Sequence, residues 1–181
     1  MEYRDQVYFE FQPETEICFS RGEYARRLNE IRKRMAEDDI DCLLVTSPES
    51  MNYVNGFICM WYQTESPFEW PPGNGIAIHV DHDRFIHFET EREAVVSRIF
   101  TVSEDTRFFP KSSYRDGSQF IADELKAEGW LKGTVGIEQW AMRPNRIVSE
   151  RLQSNFETAG AKVVDASHIV RDVRWLKSEE E

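Results

Sequence analysis

The sequence predicts an α/β fold in which a mixed sheet of about five or six strands carries helices on both faces. Residues 41–46 include four successive apolar residues, 42–45, which is typical of a central strand that is covered on both sides. A β-hairpin pattern follows at 75–88. Helix and strand patterns then alternate to residue 175, and this order predicts a layered sheet rather than a helical bundle.

The first helix is predicted to begin at Ser20, because residues 20–23 read Ser-Arg-Gly-Glu and have the spacing of a capping box. In such a box the Ser20 hydroxyl accepts from a backbone N–H and the Glu23 carboxylate reaches back to the start of the helix. The apolar stripe that should face the sheet is Tyr24, Leu28, Ile31 and Met35. The polar face that should meet solvent is Arg26, Arg27, Glu30, Arg32, Lys33 and Arg34.

The elements after residue 46 follow from periodicity and from turn residues. Residues 47–49 are predicted to turn, and hairpin strands at 75–80 and 84–88 flank the turn 81–83. A helix is predicted at 90–100 with Val95, Val96 and Ile99 inward, a strand at 106–110, and a helix at 118–128 that ends at Gly129. A strand at 134–138, a helix from about 143 with Ile147, Leu152 and Phe156, a strand at 162–165 and a helix from Ser167 complete the prediction.

Composition favours one globular domain without a nucleic-acid or membrane partner. A chain of 181 residues that is 40% hydrophobic can bury one substantial core. Its net charge of -11 disfavours binding to phosphate backbones or anionic membranes, which require clustered Lys and Arg. Three widely spaced cysteines, no signal-peptide pattern and no apolar run of membrane-spanning length predict a cytoplasmic protein.

Two stretches contain side chains that could bind a ligand. His79, His87 and the turn 81–83 offer metal-ligand types, and a three-residue turn would place both histidines on one face of the hairpin. Because turns select Asp for backbone hydrogen bonding, a structural role is the favoured interpretation. The second stretch is the loop at 57–70, whose aromatic residues either pack onto the domain or form a binding surface. The residues alone leave these two alternatives equal.

The chain resembles the N-terminal domain of the creatinase/prolidase family of metallohydrolases. The capped helix leads to a strand at 41–45, and residues 48–57, Pro-Glu-Ser-Met-Asn-Tyr-Val-Asn-Gly-Phe, are similar to the family pattern N-x-x-Y-L-T-G-[FY]. Residues 135–138, Val-Gly-Ile-Glu, resemble its I-G-x-E strand. Residues 174–178 and the glutamates after them resemble the R-x-x-K-S-x-x-E boundary at which the family's catalytic domain begins.

The resemblance covers the chain from about Ser20 onward, so the prediction has three parts: the segment 1–19, which is an arm or a short edge strand, the domain at 20–176, and the start of a linker at 177–181. The resemblance implies that catalysis belongs to a C-terminal domain, absent from this chain, in which two Asp, one His and two Glu hold two divalent metal ions. The N-terminal domain would then be non-catalytic, support a homodimer and cover the partner subunit's active site. The implied contacts to a small peptide or amide substrate are Phe57, Trp61, Tyr62 and Phe68. The alternative is a stand-alone binding or scaffolding module.

Overall fold

A six-stranded mixed sheet lies at the centre of the protein, which confirms the predicted fold class. The structure is a computed structural model that describes residues 6, 14–58, 74–113, 117–141 and 145–181. The strands are β1 (Cys42–Val45), β2 (Gly75–His79), β3 (Phe85–Thr90), β4 (Thr106–Phe109), β5 (Thr134–Ile137) and β6 (Lys162–Asp165). Their order is β4-β3-β2-β1-β5-β6, and β2 is antiparallel to both of its neighbours, whereas the other pairs are parallel.

Helices cover both faces of the sheet. In the described residues the α-helices are α1 (Arg21–Glu37), α2 (Pro48–Asn55), α3 (Ala94–Phe100), α4 (Ser118–Glu128), α5 (Arg146–Thr158) and α6 (Ser167–Trp175). Side chains of α4 and α5 form one hydrophobic cluster with the sheet, and side chains of α1, α2 and α6 form a second. Over the same residues, no helix combines the length and the hydrophobicity needed to cross a bilayer.

Strand β1 is buried along its whole length, as its uninterrupted apolar sequence predicts. Cys42 and Leu44 belong to the cluster on the α4 and α5 side, whereas Leu43 and Val45 belong to the opposite cluster. Burial raises the pKa of the Cys42 thiol to about 12, so this cysteine stays protonated and behaves as a small apolar side chain.

Helix α1 begins at the predicted residue but with only half of the predicted capping box. The Ser20 hydroxyl accepts a hydrogen bond from the Glu23 backbone N–H at 3.1 Å. The prediction of the reciprocal contact is wrong. The Glu23 carboxylate accepts from Arg26 and Arg27, and the Ser20 N–H donates to Glu180 instead. Arg27, predicted on the solvent face, is only 2% exposed.

Residues 48–55 form helix α2, where the sequence interpretation placed only a turn at 47–49. The Ser47 hydroxyl caps the helix by accepting from the Ser50 N–H, and Pro48 occupies the first helical turn, where its missing N–H costs nothing. Gly56 ends the helix with a φ of 89°, a left-handed conformation that glycine adopts without strain. These capping residues are the signal that predicts a helix this short.

The hairpin register differs from the prediction by one residue. Ile78 pairs with Phe85 and Ile76 pairs with His87, so the connection contains five residues, 80–84, rather than three. Because side chains alternate along a strand, a shift of one residue moves every side chain of the strand to the opposite face. His79 and His87 therefore lie on opposite faces of the sheet, and the prediction that they share a face is wrong.

Two helices present different residues to the core than predicted. In α3, Ala94 and Ser97 are buried, whereas the predicted inward residues are only half-buried. In α5, Ile147 is 52% exposed and Val148 is buried with Leu152 and Phe156. The predicted boundaries of the domain, at residues 20 and 176, and of the linker, at residue 177, stay predictions.

Gly136 allows β5 to lie close to the start of α6. Replacing this glycine therefore tests how tightly this side of the sheet is packed. A Cβ atom at this position would lie 2.5 Å from the Ala166 Cβ and 3.2 Å from the Leu43 Cδ1. We expect Gly136→Ala to lower the free energy of unfolding by about 1–3 kcal/mol because the core is overpacked. Chemical denaturation measures the change.

Gly22→Ala is the matched control. The nearest atom to a Cβ at Gly22 is the Ser20 Oγ at 3.6 Å, and alanine is favoured over glycine inside a helix by about 1 kcal/mol. This variant should be as stable as the wild type or more stable. A Gly136→Ala protein with wild-type stability would show that this close approach does not constrain the fold.

Candidate functional site

The predicted ligand loop connects α2 with β2, and the structure describes its two ends. Trp61, Tyr62 and Phe68 lie outside the described residues, so their contacts stay predictions. Phe57 is fully buried in the cluster with α1, α2 and α6, and its ring meets the His87 ring edge-on with 4.8 Å between centroids. In this chain Phe57 therefore fixes the start of the loop rather than lining an open surface.

Asn55, the last residue of α2, holds the outgoing end of the loop. Its Oδ1 accepts from the Phe57 N–H at 2.8 Å and its Nδ2 donates to the Ser103 Oγ at 2.9 Å. Its backbone carbonyl accepts from the Val102 N–H at 2.9 Å, and its Nδ2 lies 3.5 Å from the His87 Nδ1. These contacts tie the helix end to β3 and to the segment before β4.

Asn74 and Glu89 hold the returning end. The Asn74 Nδ2 donates to the Glu89 Oε1 at 2.5 Å, and the same oxygen accepts from the Thr90 N–H at 2.6 Å. Asn74 is 2% exposed and Glu89 has no exposed surface. We refer to Asn55, Asn74, His87, Glu89 and Ser103 as the loop-anchor cluster.

Burial keeps both ionisable groups of the loop-anchor cluster mostly neutral near pH 7. Desolvation raises the pKa of Glu89 to about 8 and lowers the pKa of His87 to about 3. The Glu89 Oε2, the Asn74 Oδ1 and the His87 Nε2 have no hydrogen-bond partner within the described part of the chain. A neutral buried cluster of this kind is suited to fixing backbone, because its hydrogen bonds are made without the cost of burying a charge.

The hairpin histidines pack against aromatic surface. The rings of His79 and His82 lie 5.4 and 5.2 Å from the Trp130 ring, and the His79 Nδ1 accepts from the Asp81 N–H. Across the described residues, no three His, Cys, Asp or Glu side chains come together as a group that could hold a metal ion. His79 and His82 are therefore packed against the domain, and the structural role favoured for the hairpin stays a prediction.

A buried carboxylate, Glu138, fixes the start of α2. It follows β5 and accepts from the backbone N–H groups of Thr46 and Ser47 at 2.7 and 2.6 Å. Desolvation raises the pKa of Glu138, and the hydrogen bonds that it accepts oppose this effect. The role of Glu138 was not predicted from the sequence, although a lone Glu directly after an apolar strand in the Val-Gly-Ile-Glu motif was the available signal.

Sequence reasoning also missed most of the loop-anchor cluster. His87 was singled out, but only as part of the hairpin, for which a structural role was favoured over a metal site. Glu89 was not singled out, because the predicted strand ended at residue 88, one residue before it. The signal at Asn55 and Asn74 was only their position beside the ends of the aromatic loop.

Known proteins place this chain in a family. The profile of the Creatinase/Prolidase N-terminal domain matches residues 27–176, and the chain therefore belongs to the creatinase/prolidase N-terminal domain family. It is 30% identical over 171 residues to the uncharacterized hydrolase/peptidase y4tM of Sinorhizobium fredii, covering 91% of this chain and 41% of that protein. A second Sinorhizobium fredii hydrolase/peptidase, y4tL, is 26% identical over 168 residues, which cover 89% of this chain and 40% of that protein.

Solved structures share the fold. Dipeptidase PepE from Mycobacterium ulcerans superposes with a TM-score of 0.65 at 18% identity, over 90% of this chain and 39% of that one. The N-terminal domain of cytoplasmic peptidase PepQ from Mycobacterium tuberculosis superposes with a TM-score of 0.61 at 14% identity, over 82% of this chain and 98% of that one. Compared with the two Sinorhizobium fredii proteins, the chain spans about two fifths of the length of the curated relatives it matches.

The pKa of Glu89 predicts a pH-dependent stability. A folded pKa of about 8, above the ordinary value of 4.5, means that the folded state keeps a proton that the unfolded state releases. The stabilisation is complete below pH 4.5 and is lost as the pH rises through 8. Relative to Glu89→Gln, which is neutral at every pH, the wild type should lose up to a few kcal/mol of unfolding free energy between pH 5 and 8.

Denaturation curves at several pH values measure this difference. His87 is present in both proteins, so its titration largely cancels in the comparison. A constant difference between wild type and Glu89→Gln across this pH range would show that Glu89 does not carry the proton in the folded state.

Removing the Glu138 carboxylate should leave two buried N–H groups without an acceptor. We expect Glu138→Ala to lower the free energy of unfolding by about 2–4 kcal/mol. Glu150→Ala is the control, because this Glu is 59% exposed and its pair with Arg146 lies on the surface, where such pairs contribute about 0.5 kcal/mol or less. Equal losses in the two variants would rule out a special role for Glu138.

Proposed function

We propose that this domain belongs to a longer creatinase/prolidase-type metallohydrolase, in which it is non-catalytic, contributes to a homodimer, and covers the partner subunit's active site with its aromatic loop. The observation that carries the proposal is the loop-anchor cluster. It holds both ends of the loop in buried hydrogen bonds, at Asn55 on one side and at Asn74 on the other.

Anchored ends suit a loop that contacts a substrate. Ordering a loop on binding costs conformational entropy, and that cost is smaller when its ends are already fixed by the scaffold. The sequence between the anchors contains Trp61, Tyr62 and Phe68, large side chains that lose little freedom when they bind. A small peptide or amide substrate would offer these rings apolar surface to cover.

In this proposal the chemistry lies outside the present chain. The two divalent metal ions would polarise the scissile carbonyl and activate water in a C-terminal domain that holds the two Asp, one His and two Glu of the family. The length of the curated relatives supports this division, because this chain spans only 41% and 40% of theirs. A cytoplasmic location stays a prediction.

A scaffolding module is the second candidate. Trp140 and Trp175 are 82% and 75% exposed, and exposed tryptophans are common at protein interfaces. The coding sequence after residue 181 separates the two functions. The five metal ligands in the family order would support the hydrolase, and a continuation without them would support the module.

Trp61→Ala in the longer protein tests the proposed substrate contact. We expect kcat/KM to fall by about tenfold to a hundredfold, because the substrate loses a surface that orients it, with no change in the melting temperature. Trp140→Ala is the matched control, since this exposed tryptophan lies outside the loop. Unchanged kinetics for Trp61→Ala would remove this residue from the site.

A further inference from the structure

A buried guanidinium lies where three separate parts of the chain meet. The side chain of Arg27 is 2% exposed, and its Nε donates to the Glu23 Oε1 at 2.8 Å. Its Nη1 donates to the backbone carbonyl of Tyr53 at 3.2 Å, and its Nη2 lies 3.2 Å from the Glu181 Oε1. One side chain thus joins α1, α2 and the segment that follows α6.

The surroundings of this guanidinium make its ion pairs stronger than surface pairs. Its central carbon lies 4.1 Å from the ring centre of Phe19 and 4.4 Å from that of Tyr53. The two carboxylate side chains are also withdrawn from water, at 3% exposed for Glu23 and 7% for Glu181. A charge buried among rings is costly unless it keeps its partners, so losing one carboxylate should loosen the whole contact.

The segment 178–181 has the sequence Ser-Glu-Glu-Glu, which is the spacing of a capping box and predicts the start of a helix at Ser178. One half of the box is formed, because the Ser178 N–H donates to the Glu181 Oε2 at 3.1 Å. The neighbouring Glu180 carboxylate accepts from the N–H and the hydroxyl of Ser20, the N-cap of α1. The predicted helix start is therefore attached to the first turns of α1.

The same guanidinium is connected, through its hydrogen bond to Tyr53, to the start of the aromatic loop. Tyr53 lies two residues before Asn55 in α2, a helix of eight residues. Because a helix this short moves as one body, the position of Tyr53 sets the position of Asn55. Asn55 in turn holds the Phe57 N–H, where the loop begins.

We propose that Arg27 is a positioning residue that couples the segment 178–181 to the loop anchor at Asn55. Through Glu181 it fixes the start of the helix predicted at Ser178, and through Tyr53 it fixes the end of α2. If the proposed function holds, the segment after Glu181 leads to the catalytic domain, and Arg27 sets the loop relative to that domain.

Hydrogen exchange of the 181-residue chain tests the coupling directly. Glu181→Gln keeps the side-chain shape and removes its charge, and Glu179→Gln is the matched control at an exposed position of the same acidic run. We expect the amides of Gly56, Phe57 and Val102, which report on the end of α2, to exchange about tenfold faster in Glu181→Gln. In Glu179→Gln they should exchange as in the wild type.

The amides of Gly129 and Trp130, at the end of α4 on the other face of the sheet, serve as the internal reference. Their local opening leaves the Arg27 contacts intact, so they should keep their wild-type rates. Faster exchange confined to 176–181 would overturn the coupling, and so would an equal acceleration at Gly129 and Trp130. Arg27→Lys keeps the charge but loses the planar fork, so it should reproduce the pattern of Glu181→Gln. Wild-type exchange in Arg27→Lys would show that the positive charge alone, without the planar guanidinium, couples the segment 178–181 to the end of α2.

Kinetics of the longer protein separate this inference from the proposed function. Glu181→Gln should raise KM about tenfold and leave kcat within about twofold, because a displaced loop weakens substrate binding and leaves the chemistry intact. If Trp61→Ala leaves the kinetics unchanged but the exchange pattern appears, the proposed function fails and the coupling stands. If the exchange pattern is absent, the coupling fails whatever the Trp61→Ala result.

Discussion

The buried carboxylate of Glu138 is the contact on which the arrangement of this domain depends. It sits after β5 and accepts two backbone N–H groups from the turn that joins β1 to α2. The neighbouring parallel strands β1 and β5, and helix α2, which follows β1 in the chain, are thereby fixed relative to each other. A side-chain carboxylate can do this because it supplies, to buried backbone donors at a helix start, the acceptors that a continued helix would otherwise supply.

The domain uses buried polar groups in two different electrostatic states. In the loop-anchor cluster, Glu89 and His87 are kept mostly neutral near pH 7 by desolvation, and they satisfy backbone and amide groups without a charge. Around Arg27 the opposite holds, because a cation is present and hydrogen bonds from Arg26 and Arg27 hold the pKa of Glu23 down to about 2. The first arrangement fixes a loop, and the second joins segments that are distant in sequence.

The fold class could be predicted because its determinants are local. The apolar run of β1, the alternating order of elements and the glycine after α4 each required only neighbouring residues. The hairpin register could not be predicted, since a change of one residue in the connection exchanges the two faces and both versions bury apolar side chains. Burial of Arg27 was missed for a related reason, because its partner Glu181 lies more than 150 positions away and no helical pattern reveals such a partner.

The candidate site was predictable only in position. The aromatic residues and the family motif located the loop, whereas the side chains that hold it are polar residues whose burial depends on the tertiary fold. Asn55 and Asn74 look like ordinary turn residues in sequence, and only the structure shows that they face a buried Glu and His.

The outer strands of the sheet also affect how two copies of the domain could associate. Both β4 and β6 contain four residues, and β6 ends in the exposed charged residues Lys162 and Asp165. Short, charged edges resist the addition of a strand from another molecule. Self-association by extending the sheet at these edges is therefore disfavoured, and the homodimer proposed above would have to form through helices and loops instead.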